Sequence, residues 1–306
     1  MPRLRNIALA AFLTLVLAGC GADFSPPAAP PAKPQRVVVL TNEGTEAVLA
    51  LGLKPIGAAT SWLGNPWYPH IAEAMEGVEP VGTESAILLE RLVSLQPDLI
   101  LANRQRHDEI RGQLESIAPT VFSRRLRGDW RLNFSLYAEA LGRVEEGTKV
   151  LERYDARVRE LAETLGESLA EEVSVVRFQA GRTRLYQLDS FSGVVLADLG
   201  FARPANQAVD AFSRTLGPES IPEMDGDRIF YLTYDEGNGD GRAAAERVLA
   251  DPRWRRLAAV EAGRVHAVDD AIWNTAGGVL AAELMLEDIA AIYGVAGERS
   301  PDPPAR

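Results

Sequence analysis

A long helical pattern near the middle of the sequence reads Val144-Glu-Glu-Gly-Thr-Lys-Val-Leu-Glu-Arg-Tyr-Asp-Ala-Arg-Val-Arg-Glu-Leu-Ala-Glu-Thr-Leu165. Its apolar residues recur at roughly helical spacing, which predicts one buried face along the whole segment. These residues are Val150, Leu151, Tyr154, Val158, Leu161 and Leu165. Gly166 ends the pattern. A helix of this length spans about 30 Å, enough to run across an entire domain.

Short β-branched strands alternate with helical patterns on both sides of this segment. The predicted strands are 36–40, 54–59, 78–82, 98–102 and 120–122 before it, and 173–178, 184–188, 228–232 and 264–268 after it. Such alternation is typical of α/β domains with largely parallel sheets. We therefore predict an α/β fold of two Rossmann-like lobes, each with a central, mostly parallel sheet, joined by one long α-helix. The expected boundaries are an N-terminal lobe at 36–132, the connecting helix at 133–166, a C-terminal lobe at 167–299 and a tail at 300–306.

The first twenty residues have the pattern of a secretion signal. Arg3 and Arg5 precede an uncharged, mostly apolar run at 7–17 that is too short to span a bilayer as a helix but suits a signal peptide. The run ends in Leu17-Ala-Gly-Cys20, which resembles a bacterial lipobox. We expect a signal peptide at 1–19 and lipid attachment at Cys20, with a generic signal peptide as the alternative. A proline-rich linker at 20–35 follows.

Composition excludes several function classes. The formal net charge of -11 argues against a nucleic-acid partner. A single cysteine and three histidines leave no material for a disulfide, a zinc cluster or a His-rich metal centre. The chain has no Gly-x-Ser-x-Gly elbow, no Walker loop and no i, i+4 pair of metal-binding histidines. We therefore expect a binding protein without catalytic residues, bound metal or intrinsic cofactor; a secreted α/β enzyme is the alternative.

Four motifs carry a resemblance to a known family. They are Leu89-Glu-Arg-Leu-Val-Ser-Leu-Gln-Pro-Asp-Leu-Ile-Leu101, Leu114-Glu-Ser-Ile-Ala-Pro-Thr-Val-Phe122, Ile221-Pro-Glu-Met-Asp-Gly-Asp-Arg-Ile-Phe230, and Asp251-Pro-Arg-Trp254 with Ala259-Val-Glu-Ala-Gly-Arg-Val265. In this order the chain resembles the helix-linked substrate-binding lipoproteins of bacterial ABC importers. The stretches 173–178, 189–193 and 270–278 are most similar to members that bind ferric citrate or ferric hydroxamates.

The resemblance implies a function outside the cytoplasm. The protein would bind a ferric siderophore and deliver it to the permease subunits of an ABC importer for iron uptake. It would act as a monomer that its N-terminal lipid holds on the cell membrane, facing the periplasm or the outside. Cobalamin and haem are the alternative cargoes of the same class.

Candidate ligand-binding residues follow the strands, because ligands of open α/β sheets lie beyond the carboxyl ends of the strands. Guanidinium groups suit carboxylate, hydroxamate and hydroxycarboxylate oxygens. The predicted contacts are Arg104, Arg125, Arg177 and Arg184, with Trp62, Tyr234 and Trp273 as aromatic walls. The alternatives are a solvated loop for the cluster at 124–127, an internal salt bridge for Arg177 and ordinary packing for the rings. The siderophore would supply every iron ligand.

Two carboxylates are candidates for contact with the transporter. Family members dock through one exposed glutamate per lobe, and the matching positions are Glu90, before Gln96-Pro-Asp98, and Glu219, before Ile221-Pro222. Acidic groups on both lobes would orient the protein and steer its approach. The alternative is a pair of solvated carboxylates at helix ends. The stiff connector further predicts small lobe movements and a largely pre-formed cleft.

Overall fold

The computed structural model describes residue 31 and residues 33–295. The predicted signal peptide, the lipidation site Cys20, most of the linker and the tail at 300–306 lie outside the described residues. The strands are β1 Val37–Val39, β2 Gly57–Thr60, β3 Glu79–Thr83, β4 Ala86–Ile87, β5 Leu99–Asn103, β6 Thr120–Ser123, β7 Val173–Gln179, β8 Arg182–Tyr186, β9 Ser213–Leu216, β10 Arg228–Thr233 and β11 Val265–Val268. The α-helices are α1 Asn42–Ala50, α2 Leu89–Leu95, α3 Arg104–His107, α4 Arg111–Ile117, α5 Trp130–Ala140, α6 Val144–Leu165, α7 Phe191–Leu199, α8 Asp240–Ala250, α9 Ala258–Glu261 and α10 Val279–Ile292.

The N-terminal lobe is built on a six-stranded sheet of order β4-β3-β2-β1-β5-β6. All neighbours are parallel except β3 and β4. The central strands β1 and β5 are buried along their whole length, as expected for parallel strands covered by helices on both faces. The predicted α/β lobe with a mostly parallel sheet is confirmed.

The C-terminal lobe holds a five-stranded sheet of order β11-β10-β7-β8-β9. Strands β11, β10 and β7 are parallel, and β8 is antiparallel to both β7 and β9. Only β8 therefore runs against the others, because a short turn at 180–181 connects it directly to β7. The carboxyl ends of β7, β9 and β10 lie at the same edge of this sheet.

The long helical pattern forms α6, a helix of 22 residues. Its buried residues include Val150, Tyr154, Val158, Leu161 and Leu165, and Leu151, the sixth predicted residue, is half-buried against the same core. The predicted apolar face is confirmed. The predicted connecting segment 133–166 contains a break, since Gly142 has a φ of 64° between α5 and α6. The segment thus holds two helices, of which α5 packs on α1 in the N-terminal lobe and α6 runs on to the second sheet.

The two lobes share one hydrophobic core. The ring of Trp130 in α5 packs edge-to-face on the ring of Tyr154 in the connector, with 5.1 Å between the ring centres. It packs in the same way on Phe191 of the C-terminal lobe, with 6.4 Å between the ring centres. Helix α10 ends the fold and packs against α1 of the first lobe as well as against α6. The lobes are therefore held by helix packing besides the connector. None of the described helices is long and apolar enough to cross a membrane.

Candidate functional site

A cleft of about 380 Å³ lies between the two lobes, at the carboxyl ends of the strands. The N-terminal lobe contributes Glu43, Trp62, Glu84, Arg106, Leu126 and Arg127. The C-terminal lobe contributes Arg177, Gln179, Arg182, Arg184, Phe212, Tyr234, Glu236 and the turn 274–277. Five arginines and three aromatic rings thus line one cavity, which is the kind of site that the sequence predicts.

Four of the predicted binding residues line this cleft. They are Trp62, Arg177, Arg184 and Tyr234. Arg104 does not line it, although it directly follows β5. Asn103 ends the strand and Arg104 begins α3, so the residue two positions further, Arg106, points from the other side of the helix. Arg106 lines the cleft, with its guanidinium carbon 5.5 Å from the ring of Trp62.

Arg125 lies outside the cavity wall and bridges the lobes. Its guanidinium donates to Asp129 of its own lobe, at 2.7 and 3.0 Å, and to Asp189 of the other lobe, at 2.9 and 3.2 Å. Hydrogen bonding and charge from Asp129, with Asp189 beside it, raise the pKa of Arg125. Because both carboxylates occupy its donors, Arg125 serves as a clasp between the lobes rather than as a free anion-binding group.

Trp273 is fully buried and does not form a wall of the cleft. Its indole Nε1 donates to Asp288 at 2.9 Å, and its ring lies 4.6 Å from that of Phe230. The prediction that Trp273 is a cleft wall is therefore wrong, and ordinary core packing accounts for the residue. The turn after it, at 274–277, reaches the cavity instead.

Arg177 forms an internal salt bridge, the alternative that its sequence context leaves open. Its Nε and Nη2 donate to the two carboxylate oxygens of the buried Asp270, at 2.5 and 2.8 Å. Its Nη1 donates to the hydroxyl of Tyr186 at 3.2 Å, and its guanidinium carbon lies 4.6 Å from the centre of the Tyr234 ring. The charge of Arg177 is therefore neutralised, and its contribution at the cleft is to hold the Tyr234 ring in place.

Arg106 is paired as well, since its Nε lies 3.6 Å from a carboxylate oxygen of the buried Glu84. The cations left for an anionic ligand are therefore Arg127, Arg182 and Arg184. Within the described part of the chain none of the three forms a salt bridge. The guanidinium carbon of Arg127 lies 3.6 Å from the centre of the Phe212 ring, and that of Arg184 lies 5.9 Å from the same ring. Partial burial and the charge of Arg106 lower the pKa of Arg127. An incoming anion would relieve this repulsion.

The sequence does not predict that Phe212 and Arg127 line the cleft. Phe212 lies in an irregular stretch before β9, where no periodic pattern marks a buried or a facing residue. Arg127 belongs to a cluster of three arginines at 124–127, and its φ of 80° turns the chain so that this one reaches the cavity. The cluster is recognisable in the sequence, but the member that lines the cavity is not.

The N-terminal lobe also contributes two buried carboxyl groups to the cleft. Glu84 accepts from the backbone and side-chain nitrogens of Asn42 at 2.7 and 2.8 Å, at the start of α1. Glu43 accepts from Asn133 through Oε1 at 2.8 Å, whereas its buried Oε2 has no hydrogen-bond partner among the described residues. Burial raises the pKa of Glu43 well above its ordinary value, which favours the protonated carboxyl.

Sequence and structure comparisons place this architecture in a known family. The sequence matches the periplasmic binding protein family over residues 37–271. The chain belongs to that family. It is 46% identical over 268 residues to a probable siderophore-binding lipoprotein of Bacillus subtilis, covering 85% of this chain and 82% of the relative. The achromobactin-binding periplasmic protein of Dickeya dadantii is 34% identical, over 86% of this chain and 88% of the relative.

A solved structure agrees with these sequence relatives. The Staphylococcus aureus SirA protein, crystallised with staphyloferrin B, aligns with a TM-score of 0.80 and 31% identity, over 86% of this chain and 94% of its own. The two-lobed, helix-linked fold is therefore confirmed. So is the expectation of a binding protein, since family and relatives alike are binding proteins rather than enzymes.

The predicted docking residues of this periplasmic binding protein lie on its surface. Glu90 is exposed in the first turn of α2, between the exposed apolar residues Leu88 and Val93. Glu219 is exposed in the 3-10 helix Pro218–Met224, which follows β9 at the cleft end of the second sheet. An exposed carboxylate on each lobe is the arrangement that the resemblance implies. Their contact with a permease stays a prediction.

His107 and the acidic loop at 235–241 have structural roles. His107 is buried, accepts from the Asn103 amide at 3.1 Å and contacts the Glu84 carbonyl oxygen at 3.0 Å; burial lowers its pKa to about 4. The acidic loop before α8 folds around Asp235, which accepts from the amides of Gly237, Gly239 and Arg242. No group of three or more metal-binding side chains is found among the residues described.

Proposed function

We propose that this periplasmic binding protein binds an anionic ferric siderophore in the cleft between its lobes and delivers it to an ABC importer for iron uptake. The observation that carries the proposal is the pair Arg127 and Arg184, one from each lobe, which both lie close to the Phe212 ring. Both line the cavity, and neither is occupied by a carboxylate of the described chain. An anion seated there would contact both lobes at once.

The chemistry of the cleft favours a chelate that is anionic and partly apolar. The guanidinium fork donates two parallel hydrogen bonds to a carboxylate or hydroxycarboxylate. Trp62, Phe212 and Tyr234 add flat apolar surface for the organic part of the chelate. The described residues contain no cluster that would ligate bare iron, so the siderophore supplies the metal ligands. The names of relatives support the class: they bind siderophores, achromobactin and Fe(3+)-citrate.

Within this class we propose ferric hydroxycarboxylates, with ferric citrate as the simplest probe. Unpaired arginines outnumber unpaired carboxylates on the cavity wall, and burial raises the pKa of Glu43, which favours its neutral form. A cleft of this polarity suits free carboxylate groups that remain on the surface of an iron complex. No feature of the cleft favours cobalamin or haem in the way that the unpaired arginines favour an anionic chelate.

The test is quenching of tryptophan fluorescence across a panel of ligands. Five tryptophans report on the protein, and Trp62 lies in the cavity wall. We expect saturable quenching by ferric citrate, weaker quenching by iron-free citrate, and neither a Soret band nor quenching with haem. Quenching by haem or cobalamin alone would replace the siderophore with that cargo. Failure of every ferric chelate to quench would overturn the proposal.

We further propose that delivery uses an anchored protein with two docking carboxylates. Cys20 is the expected lipid attachment site, which would place the domain outside the cytoplasm on a proline-rich tether. Glu90 and Glu219 would meet cationic groups of the permease subunits, one from each lobe. The protein would act as a monomer, since each copy carries both lobes of the cleft. Mass spectrometry of the mature protein tests the anchor, because acylation at Cys20 adds a diagnostic mass.

A further inference from the structure

Two of the three lysines of the chain line one surface concavity, and the third lies on the connecting helix, one turn from a residue of that concavity. The sequence has 32 Lys+Arg, but its lysines are only Lys33, Lys54 and Lys149. Lys33 and Lys54 line a surface concavity of about 350 Å³ together with Arg143. Lys149 lies on α6, one helical turn from Glu146 of the same concavity. We call Lys33, Lys54, Arg143 and Lys149 the lysine face.

The lysine face is exposed and mostly unpaired. All three lysines are exposed, and none forms a salt bridge with another described residue. Arg143 pairs with Glu146 at 2.9 Å. Beside it Val144 exposes 57% of its surface. In a chain of net charge -11, this is a local cationic surface with an apolar residue at its edge.

The lysine face lies at the end of the lobe opposite the ligand cleft. Val37, the first residue of β1, lines the concavity, whereas Glu43, which follows the other end of β1, lines the cleft. Lys33 is also the point at which the expected tether reaches the folded body, because only the thirteen residues 20–32 separate it from the start of the mature chain at Cys20. Lys33, the first cation after the proposed lipid anchor, therefore lies beside Lys54 and Arg143 where the tether enters.

We propose that the lysine face rests on the anionic phospholipid headgroups of the membrane that carries the Cys20 anchor. This inference rests on the lipid anchoring in the proposed function. Cations near an anionic bilayer are attracted to it within about one Debye length, and a lipid chain together with a basic patch binds more firmly than either alone. Resting on this face turns the cleft away from the bilayer, towards incoming ligand. Delivery then requires the domain to turn over, since Glu219 lies at the cleft end.

Amine footprinting on vesicles tests the proposal directly, because the few lysines make the readout specific to this face. The mature chain is coupled through the Cys20 thiol to a maleimide lipid, so that the outcome does not depend on native acylation. Acetylation rates of the three lysines are then compared by mass spectrometry on phosphatidylglycerol and on phosphatidylcholine vesicles. We expect several-fold protection on phosphatidylglycerol only, which is relieved by high salt. Equal rates on both vesicles would overturn the proposal.

Two further arms separate a membrane surface from a small-anion site and from a general effect of charge. Soluble glycerol phosphate without vesicles should leave the acetylation rates of the lysines unchanged. If it protected the lysines as much as phosphatidylglycerol vesicles do, the face would be a small-anion site and the proposal would be contradicted. In Lys33→Gln/Lys54→Gln/Lys149→Gln, protection of Arg143 from phenylglyoxal should fall. It should persist in Arg159→Gln/Arg255→Gln/Arg256→Gln, which removes the same charge elsewhere. Titration of the same samples with ferric citrate reports separately on the cleft.

Discussion

The Glu46 carboxylate accepts a hydrogen bond from the backbone amide of Ala281 at 3.0 Å, across 235 residues of sequence. Glu46 is fully buried on α1 in the N-terminal lobe, and Ala281 lies in the first turn of α10. Its other oxygen contacts Nε2 of His70 at 2.6 Å. A side chain of one lobe therefore caps a helix that belongs to the other, which ties the lobes together in addition to the connector.

Removal of this cap should destabilise the whole protein. In Glu46→Ala, the amides at the start of α10 lose their acceptor and His70 loses its partner, so we expect the free energy of unfolding to fall by about 1–3 kcal/mol. Glu46→Gln keeps an oxygen acceptor and should lose less. Urea denaturation followed by circular dichroism checks both. A stable Glu46→Ala variant would show that α10 needs no cap from α1.

The buried Glu43 should make stability depend on pH. Because its pKa is raised in the folded protein, the folded state holds a proton that the unfolded state releases once pH exceeds the unfolded value. The stability that Glu43 contributes is therefore complete at low pH and declines as pH rises above about 4.3. Glu43→Gln removes that titration and should gain stability relative to the wild type between pH 5 and pH 8. If the free energies of unfolding of the two proteins changed with pH in the same way over this range, Glu43 would not be neutral in the folded state.

The docking carboxylates should affect transport without affecting binding. Glu90→Ala/Glu219→Ala should bind ferric citrate as the wild type does, because both residues are exposed and outside the cavity wall. Uptake of radioactive iron by cells that carry the variant should fall strongly, since electrostatic complementarity to the permease is lost. Glu109→Ala/Glu246→Ala, which removes two other exposed acids, is the matched control. Normal uptake with the first variant would refute the docking role.

The fold could be predicted from sequence because its signals are local. The apolar stripe from Val150 to Leu165 and the short valine-rich strands depend on neighbours in the chain. Residues that follow a parallel strand could also be placed at the cleft edge, as Trp62 and Tyr234 confirm by lining the cavity. These inferences need only the position of a residue relative to its own secondary structure.

The errors at the site come from partners that are distant in sequence. Whether Arg177 is free depends on Asp270, 93 residues away, and whether Arg125 is free depends on Asp189 in the other lobe. Trp273 is buried because its indole donates a hydrogen bond to Asp288 and its ring packs on Phe230. No local pattern contains these pairings. The arginines that remain unpaired could therefore be identified only once both lobes were placed in space.

The measurement that tests the central claim most directly is the affinity for ferric citrate when two of the three unpaired arginines, Arg127 and Arg184, are neutralised. Each arginine is expected to supply charge-assisted hydrogen bonds worth about 1.5–3 kcal/mol. Arg127→Gln/Arg184→Gln should therefore bind at least about 100-fold more weakly in a tryptophan-quenching titration. Arg125→Gln, which breaks only an exposed bridge, should stay within about threefold of the wild type. Unchanged affinity in the double variant would contradict the assignment of the cleft.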